Sequence, residues 1–233
     1  MNSGLTSETS RICRVYSQRT DPSRYGFFHP STLLASQERE RKILAALARH
    51  GQRSLERRQV IEVGCGTGFW LREFVRWGAR PENIFGVDLI PERIAEARAL
   101  CPARVTLTCG SAEKLEFSAG SFDLVFQSTV FTSILEEMMK VKIAGEMLRV
   151  LRPGGLIVWY DFTVNNPWNS DVRGIPRREV KRLFPGCQFE FERLTLAPPM
   201  GRRIARFSSF LYRAVSAVKV FDTHCLAIIR KTC

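Results

Sequence analysis

A run of glycines between residues 60 and 68 is the segment of the chain most suited to hold a ligand. It reads Val-Ile-Glu-Val-Gly-Cys-Gly-Thr-Gly, an apolar strand that leads into a glycine-rich turn and then a helix. Glycines permit positive φ angles and let the backbone approach a ligand closely, and the helix that follows offers unpaired N–H groups to a carboxylate. A dinucleotide-binding turn requires its third glycine three residues after the second. Phe69 stands at that position after Gly66, so the spacing disfavours a pyrophosphate.

Asp88 is the second residue that the spacing marks for binding. It ends the apolar stretch Gly86-Val87-Asp88, twenty residues beyond Gly68. An acidic residue at the carboxyl end of a strand, beside a glycine turn, can accept hydrogen bonds from both hydroxyls of a ribose. The same carboxylate could instead cap the helix that starts at Pro91. Its spacing from the glycine turn favours ribose binding.

Strands and helices alternate around these residues. Apolar strands are predicted at 59–63, 83–87, 104–109, 122–126 and 156–160, and helices at 69–77, 91–100 and 132–150. This alternation is typical of a parallel sheet covered by helices on both faces. Two late strands, 188–196 and 221–229, bracket a helix at 202–218 and predict an antiparallel edge. The fold class is therefore α/β, a Rossmann-like doubly wound sheet that is mostly parallel with an antiparallel edge strand.

The length of 233 residues, with 45% hydrophobic content, predicts one domain in three parts. Residues 1–58 form an N-terminal arm and helix, 59–163 the cofactor-binding core, and 164–233 a C-terminal part with basic helices on the substrate side. No secretory signal or long apolar span is evident, so a soluble cytoplasmic protein is expected. The seven cysteines and three histidines lack metal-ligand spacing, and no metal is predicted.

Five segments in order carry a resemblance to a known family. They are the turn 62–68, Gly86-Val87-Asp88, the tetrapeptide 110–113 (Gly-Ser-Ala-Glu), the strand 121–125 (Ser-Phe-Asp-Leu-Val) and residues 148–155 (Leu-Arg-Val-Leu-Arg-Pro-Gly-Gly). From residue 59 to residue 162 the chain resembles the class I S-adenosylmethionine-dependent methyltransferases of the broad small-molecule kind. The resemblance implies the class I methyltransferase architecture, S-adenosyl-L-methionine as cofactor, and methyl transfer to a small-molecule acceptor.

The resemblance also implies which residues hold the methionine part of the cofactor. The turn would do so through Gly64, Cys65, Gly66 and Gly68, and Glu62 would support the amino group.

The adenosine part is assigned in the same way. Asp88 would bind the ribose and Leu89 would pack on the adenine. Ser111 and Ala112 would line the adenine edge, although relatives commonly carry an acidic residue where Ser111 stands. Gln127, at the end of the fourth strand, would lie near the methionine or the reacting methyl group.

The acceptor side is less clearly marked. The loop that starts at Asp161 and runs to residue 168 opens at the end of the sheet where ligands bind, and Asp161 is the candidate general base for an acceptor that must lose a proton. A structural aspartate bonded to nearby backbone fits the sequence equally well. His29, in the arm, is a weaker candidate, and His224, in the last strand, is expected to be structural.

The net charge of +12 is concentrated at the two ends of the chain. Residues 1–58 carry +6, residues 59–170 carry −2 and residues 171–233 carry +8. Such an imbalance suggests an acidic partner, although solvated surface charge explains it equally well. On the first reading, Arg173, Arg177 and Arg178 face an anionic acceptor. The helix at 202–218 could rest on an anionic membrane or simply cover the core with a basic outer face.

Three other functions compete with methyl transfer to a small molecule. A nucleic-acid methyltransferase would suit the basic ends, but the segment 127–130, Gln-Ser-Thr-Val, lacks the Asn/Asp-Pro-Pro-aromatic signature of enzymes that methylate base amino groups. A nicotinamide-dependent oxidoreductase is disfavoured by Phe69. A non-catalytic binding protein is disfavoured by the intact cofactor motif.

Overall fold

The computed structural model describes residues 7–18, 26–167 and 169–231, which form eight α-helices and seven strands. The helices are α1 (Ser7–Ser17), α2 (Pro30–Arg49), α3 (Phe69–Arg76), α4 (Pro91–Leu100), α5 (Glu137–Val150), α6 (Arg177–Leu183), α7 (Pro198–Phe207) and α8 (Ser209–Ala217). The strands are β1 (Val60–Val63), β2 (Ile84–Asp88), β3 (Thr106–Cys109), β4 (Phe122–Ser128), β5 (Leu151–Phe162), β6 (Cys187–Leu196) and β7 (Asp222–Lys231). Trp168, in the loop expected to border the site, lies outside the described residues, as do parts of the predicted arm.

All seven strands join one sheet in the order β3-β2-β1-β4-β5-β7-β6. Strands β1 to β5 pair in parallel, whereas β7 pairs antiparallel with both β5 and β6. The predicted fold class is confirmed. The structure adds that β7, the last strand of the chain, is inserted between β5 and the edge strand β6.

Apolar side chains cover both faces of the sheet, as the continuous hydrophobic strands predict. On one face Val60 and Val158 pack with Phe74 of α3 and Leu47 of α2. On the other, Ile61 and Val125 pack with Met147 of α5, Phe184 after α6 and Ile12 of α1.

Two predicted helix boundaries are wrong. The helix predicted at 132–150 starts at Glu137, because Phe131–Ser133 forms a separate 3-10 turn. The helix predicted at 202–218 is two helices, which meet where the Ser208 hydroxyl accepts a hydrogen bond from the backbone N–H of Leu211. An N-capping serine of this kind starts a new helix instead of continuing the old one.

One edge of the sheet gathers the segments on which function depends. Parallel strands all present their carboxyl ends there, and ligands of open α/β sheets bind at that edge. The antiparallel register brings α7 and α8 to the same edge, because Phe162 pairs with His224 and Leu196 with Asp222. No helix among the described residues is long and apolar enough to cross a membrane.

Candidate active site

A cleft of about 130 Å³ opens at the carboxyl ends of the first two strands and β4. Five of the residues predicted to bind the cofactor line it, namely Gly64, Asp88, Leu89, Ser111 and Ala112. The rest of the wall includes side chains from α1 and from residues 128–143.

Gly64 has a backbone conformation and a close neighbour that only glycine accommodates. Its φ is 71°, and a Cβ at this position would lie 2.3 Å from Cγ2 of Val130. The backbone N–H groups of Gly64 and Cys65 both donate to the carbonyl oxygen of Val87, at 2.8 and 3.0 Å. The turn is thereby fixed against β2, and its backbone forms a wall of the cleft.

The Asp88 carboxylate joins the glycine turn to the start of α4. Its Oδ2 accepts from the backbone N–H of Gly66 at 2.8 Å, and its Oδ1 accepts from that of Ile90 at 3.0 Å. Ile90 is the residue that precedes α4, so Asp88 fixes the chain where it enters the helix without bonding an N–H group of the helix itself, as an N-cap would. A carboxylate offers about four lone-pair sites, so both oxygens retain capacity for the two hydroxyls of a ribose.

Glu62 supplies a buried negative group beneath the turn. The residue is 2% exposed, and its Oε2 has no hydrogen-bond partner among the described residues. Burial, with a smaller contribution from Asp88, raises the pKa of the Glu62 carboxyl well above its usual value, although the backbone N–H of Leu71 bonds to it. A buried acidic group with one oxygen still unbonded fits the ammonium group of an amino acid, so the residues present suit the methionine part of the implied cofactor.

Four other predicted residues lie around the cleft but do not line it. Cys65 is buried against Gly86, and a Cβ on Gly68 would lie 2.5 Å from Sγ of Cys101. Gly66 contributes the backbone N–H that Asp88 accepts. Gln127 is fully buried, donates to the carbonyl oxygen of Tyr160 and accepts from the backbone N–H of Val130. These residues shape the turn and the segment after β4, and their contact with a cofactor stays a prediction.

An acidic side chain does lie beside the predicted adenine edge, although it is not at position 111. The backbone N–H of Glu113 donates to Oγ of Ser111 at 3.2 Å, and Oε2 of Glu113 lies 3.4 Å from the same hydroxyl. Lys142 pairs with the other carboxylate oxygen at 3.1 Å.

The predicted base, Asp161, lies in the interior and does not border the cleft. It is fully buried, and its carboxylate accepts from the Thr132 hydroxyl at 2.5 Å and from the backbone N–H groups of Thr132 and Phe162. Burial raises the pKa of Asp161 to about 7 against these hydrogen bonds. This geometry favours the structural role, in which Asp161 anchors the segment that follows β4.

Sequence reasoning missed the contribution of α1 and of the turn after β4. Ile12 and Tyr16 of α1 line the cleft, and the guanidinium of Arg93 lies 4.3 Å from the centre of the Tyr16 ring. Thr129, also in the wall, has a φ of 59°, a left-handed conformation that is uncommon outside glycine and is often found at functional sites. The sequence of α1 mixes polar, apolar and basic residues. It therefore does not indicate that this helix folds back over the edge of the sheet.

The arginines predicted to face an anionic acceptor are partly engaged within the chain. Arg173 pairs with Glu179 at 2.6 Å, and Glu179 also holds the fully buried Lys140 at 2.9 Å. The guanidinium of Arg177 lies 5.4 Å from the centre of the Phe191 ring. The structure therefore gives Arg173 and Arg177 intramolecular roles.

His29, the weaker candidate for the site, and His224, expected to be structural, both lie apart from the cleft. His29 precedes α2 and borders a separate surface depression with Pro199 and Arg202 of α7. His224 stacks on Tyr160, with ring centroids 5.1 Å apart, and burial together with Arg39 lowers its pKa to about 3. Neither side chain borders the residues predicted to hold the cofactor.

Residues 60–155 match a family model described as a methyltransferase domain. They form a class I methyltransferase domain. This segment contains the glycine turn, Asp88 and strands β1 to β4, so the family predicted from the five sequence segments is confirmed.

Two relatives known by sequence are methyltransferases whose names specify a methylenesterol and a phytyl hydroquinone. The chain is 25% identical over 199 residues to 24-methylenesterol C-methyltransferase 2 of Oryza sativa subsp. japonica, a match that covers 79% of this chain and 50% of the relative. It is 33% identical over 121 residues to 2-methyl-6-phytyl-1,4-hydroquinone methyltransferase of Synechocystis sp., which covers 50% and 34%. The chain thus spans about half or less of these relatives' length.

A solved structure shares the fold along almost the whole chain. Geranyl diphosphate C-methyltransferase from Streptomyces coelicolor A3(2), solved with Mg²⁺, geranyl diphosphate and S-adenosyl-L-homocysteine, aligns with a TM-score of 0.66. The alignment covers 97% of this chain and 98% of the other at 16% identity.

Proposed function

We propose that the protein is an S-adenosylmethionine-dependent methyltransferase that acts on a small-molecule acceptor with a large apolar part. The observation that carries the proposal is the arrangement of Gly64, Asp88 and Glu62 at the carboxyl ends of β1 and β2. It provides a backbone wall, a carboxylate for the ribose and a buried acidic group for an ammonium. The sterol and phytyl-hydroquinone methyltransferases among the relatives support an apolar acceptor.

Positioning is the main contribution of this chain to the reaction. The cofactor, when bound, would supply a methyl carbon activated by its positive sulfonium, with the neutral thioether as the leaving group when the acceptor bonds to that carbon. Asp88 would orient the ribose and Glu62 the ammonium, and α1 would exclude water through Ile12 and Tyr16. Such orientation accounts for a large part of the rate in transfers of this kind.

The described part of the cleft offers few side chains that could remove a proton from the acceptor. Asp88 is the one carboxylate in its wall, no histidine lines it, and Asp161 is enclosed in the interior. This favours an acceptor atom that attacks without a strong protein base, such as an electron-rich carbon or a neutral nitrogen.

Calorimetry with S-adenosylmethionine, S-adenosylhomocysteine and NAD tests the cofactor assignment. We expect micromolar binding of the first two and no binding of NAD. Binding of NAD without an S-adenosylmethionine signal would show instead a nicotinamide-dependent enzyme.

Methyl-tritiated cofactor added with a total cell extract tests the acceptor class. Label is expected in the fraction that an organic solvent extracts. Label that stays with RNA or DNA and is released by nuclease would favour the nucleic-acid alternative. A cytoplasmic location stays a prediction.

A further inference from the structure

Helix α7, helix α8 and the residue that follows α8 expose large apolar side chains to solvent. Phe207 is 88% exposed, Phe210 81%, Leu211 47% and Val218 63%. We call these four residues, with the arginines at 203, 206 and 213, the α7–α8 face. A soluble monomer rarely leaves such a contiguous patch without using it for binding.

The sides of α7 and α8 that face the protein are already packed, which explains why the apolar residues on their other sides remain exposed. Ala205 of α7 and Tyr212 of α8 are buried and pack together with Leu196 at the end of β6. Ser216 of α8 donates to Glu38 of α2 at 3.2 Å. Both helices are therefore anchored on their inner sides, where Ile204 and Val215 also pack on this cluster, and a second set of hydrophobic positions is left for another surface.

The charge of the α7–α8 face indicates the chemistry of the surface to which it would bind. Residues 194–221 carry four arginines and one lysine and contain no aspartate or glutamate. Arg203, Arg206 and Arg213 are exposed beside the phenylalanines. Phenylalanines next to cations, without acidic neighbours, are typical of helices that lie at the headgroup boundary of an anionic bilayer. A second copy of the chain fits poorly, because its own basic face would be repelled.

The neighbouring depression adds a place for a headgroup. It is bordered by Arg202, Arg203 and Arg206 of α7 and by His29 and Pro30 at the start of α2. Three guanidinium groups on one helix present donors suited to a phosphate.

The same surface continues to the cofactor turn. Phe28 is fully exposed and Phe27 is 49% exposed. The Phe27 ring stacks on Phe69, which begins α3 directly after the glycine turn, with centroids 5.7 Å apart. The apolar and basic rim thus borders the edge of the sheet at which the acceptor would enter.

We propose that the α7–α8 face docks on an anionic lipid bilayer. The phenylalanines insert at the headgroup boundary while the arginines pair with lipid phosphates. Docking is a property of this surface alone. Docking would deliver an apolar acceptor from the bilayer to the cleft, and this role rests on the function proposed above.

Co-sedimentation with vesicles tests the proposal. Phosphatidylcholine vesicles with added phosphatidylglycerol are compared with phosphatidylcholine alone, for the unaltered protein and for two variants, Phe207→Ser/Phe210→Ser and Arg203→Glu/Arg206→Glu. We expect binding to the anionic vesicles only, weakened by salt and reduced about tenfold or more in each variant. The control is Leu100→Ser/Arg104→Glu, which alters an exposed leucine and an exposed arginine distant from α7 and α8, and it should bind like the unaltered protein.

Several results would overturn the proposal. Equal binding to neutral and anionic vesicles would do so, as would variants that bind as well as the control. Analytical ultracentrifugation could instead show a dimer that the Phe207→Ser/Phe210→Ser variant does not form. That result would assign the face to contact with a second copy of the chain. Calorimetry with S-adenosylhomocysteine separates this test from that of the proposed function, because both variants should retain the affinity of the unaltered protein.

Discussion

The Tyr16 hydroxyl of α1 lies 2.7 Å from the Ser133 hydroxyl, which ties this helix to the segment that follows β4. Two further contacts strengthen the link. Arg11 donates to the carbonyl oxygen of Ser133 at 2.6 Å, and Oε1 of Glu8 accepts from the backbone N–H of Leu135, also at 2.6 Å. Because Ile12 and Tyr16 form part of the wall of the cleft, these bonds hold α1 as its cover.

The first prediction is that loosening this cover speeds the exchange of the cofactor. The cleft of about 130 Å³ is smaller than the roughly 300–1,000 Å³ of ordinary ligand sites, and α1 forms part of its wall, so we expect α1 to move when a nucleoside derivative enters. Glu8→Ala removes the acceptor for both Leu135 and Arg11. Stopped-flow release of S-adenosylhomocysteine should become about three- to tenfold faster, a loss of order 1 kcal/mol. Arg14→Ala, on the exposed side of α1, is the control, and equal rates for the two variants would contradict a covering role.

The second prediction separates backbone strain from lack of space at the glycine turn. Gly51 and Gly64 have similar φ angles, 77° and 71°, but a Cβ on Gly51 meets nothing within 4 Å, whereas one on Gly64 meets Val130. Gly51→Ala should cost only the left-handed strain of roughly 1–2 kcal/mol. Gly64→Ala should cost about 1–3 kcal/mol more and also weaken cofactor binding. Urea denaturation and calorimetry measure both effects, and equal stabilities would show that Val130 yields freely.

The third prediction concerns Asp88. Hydrogen bonds to a charged group are worth about 1.5–3 kcal/mol each, so Asp88→Ala should lower the affinity for S-adenosylhomocysteine about tenfold to a hundredfold. Some stability is lost too, because the carboxylate holds the backbone N–H groups of Gly66 and Ile90. Asp88→Asn keeps one acceptor oxygen and should lie between the two. A folded Asp88→Ala protein with an unchanged dissociation constant would show that Asp88 serves only the turn and α4.

The sequence predicted the sheet and its binding edge, because strand periodicity and glycine spacing are local properties. Asp88 and the glycine turn were found for that reason. Tyr16 could not be found, since only the folded chain brings it to Ser133, more than a hundred residues away. The break at Ser208 was missed because the apolar spacing continues through it, although serine is a common N-cap. Asp161 lies near the carboxyl end of β5, as its strand position predicts, but its carboxylate bonds to Thr132 in the interior instead of lining the cleft, which the sequence alone could not indicate.

The last prediction concerns the pH dependence that the buried Asp161 imposes on stability. Burial raises the pKa of this carboxyl from 3.8 to about 7, so the folded state binds the proton more tightly than the unfolded state. Its contribution to stability is therefore fully present below pH 4 and is lost as the pH rises towards about 7. Because the side chain in Asp161→Asn cannot ionise, the stability of this variant does not fall in this way as the pH rises. The free energy of unfolding of the unaltered protein, relative to Asp161→Asn, should fall by about 2–3 kcal/mol between pH 5 and pH 8. Urea denaturation of both proteins at the two pH values measures it. A constant difference would mean that Asp161 keeps its charge in the fold, stabilised by Thr132.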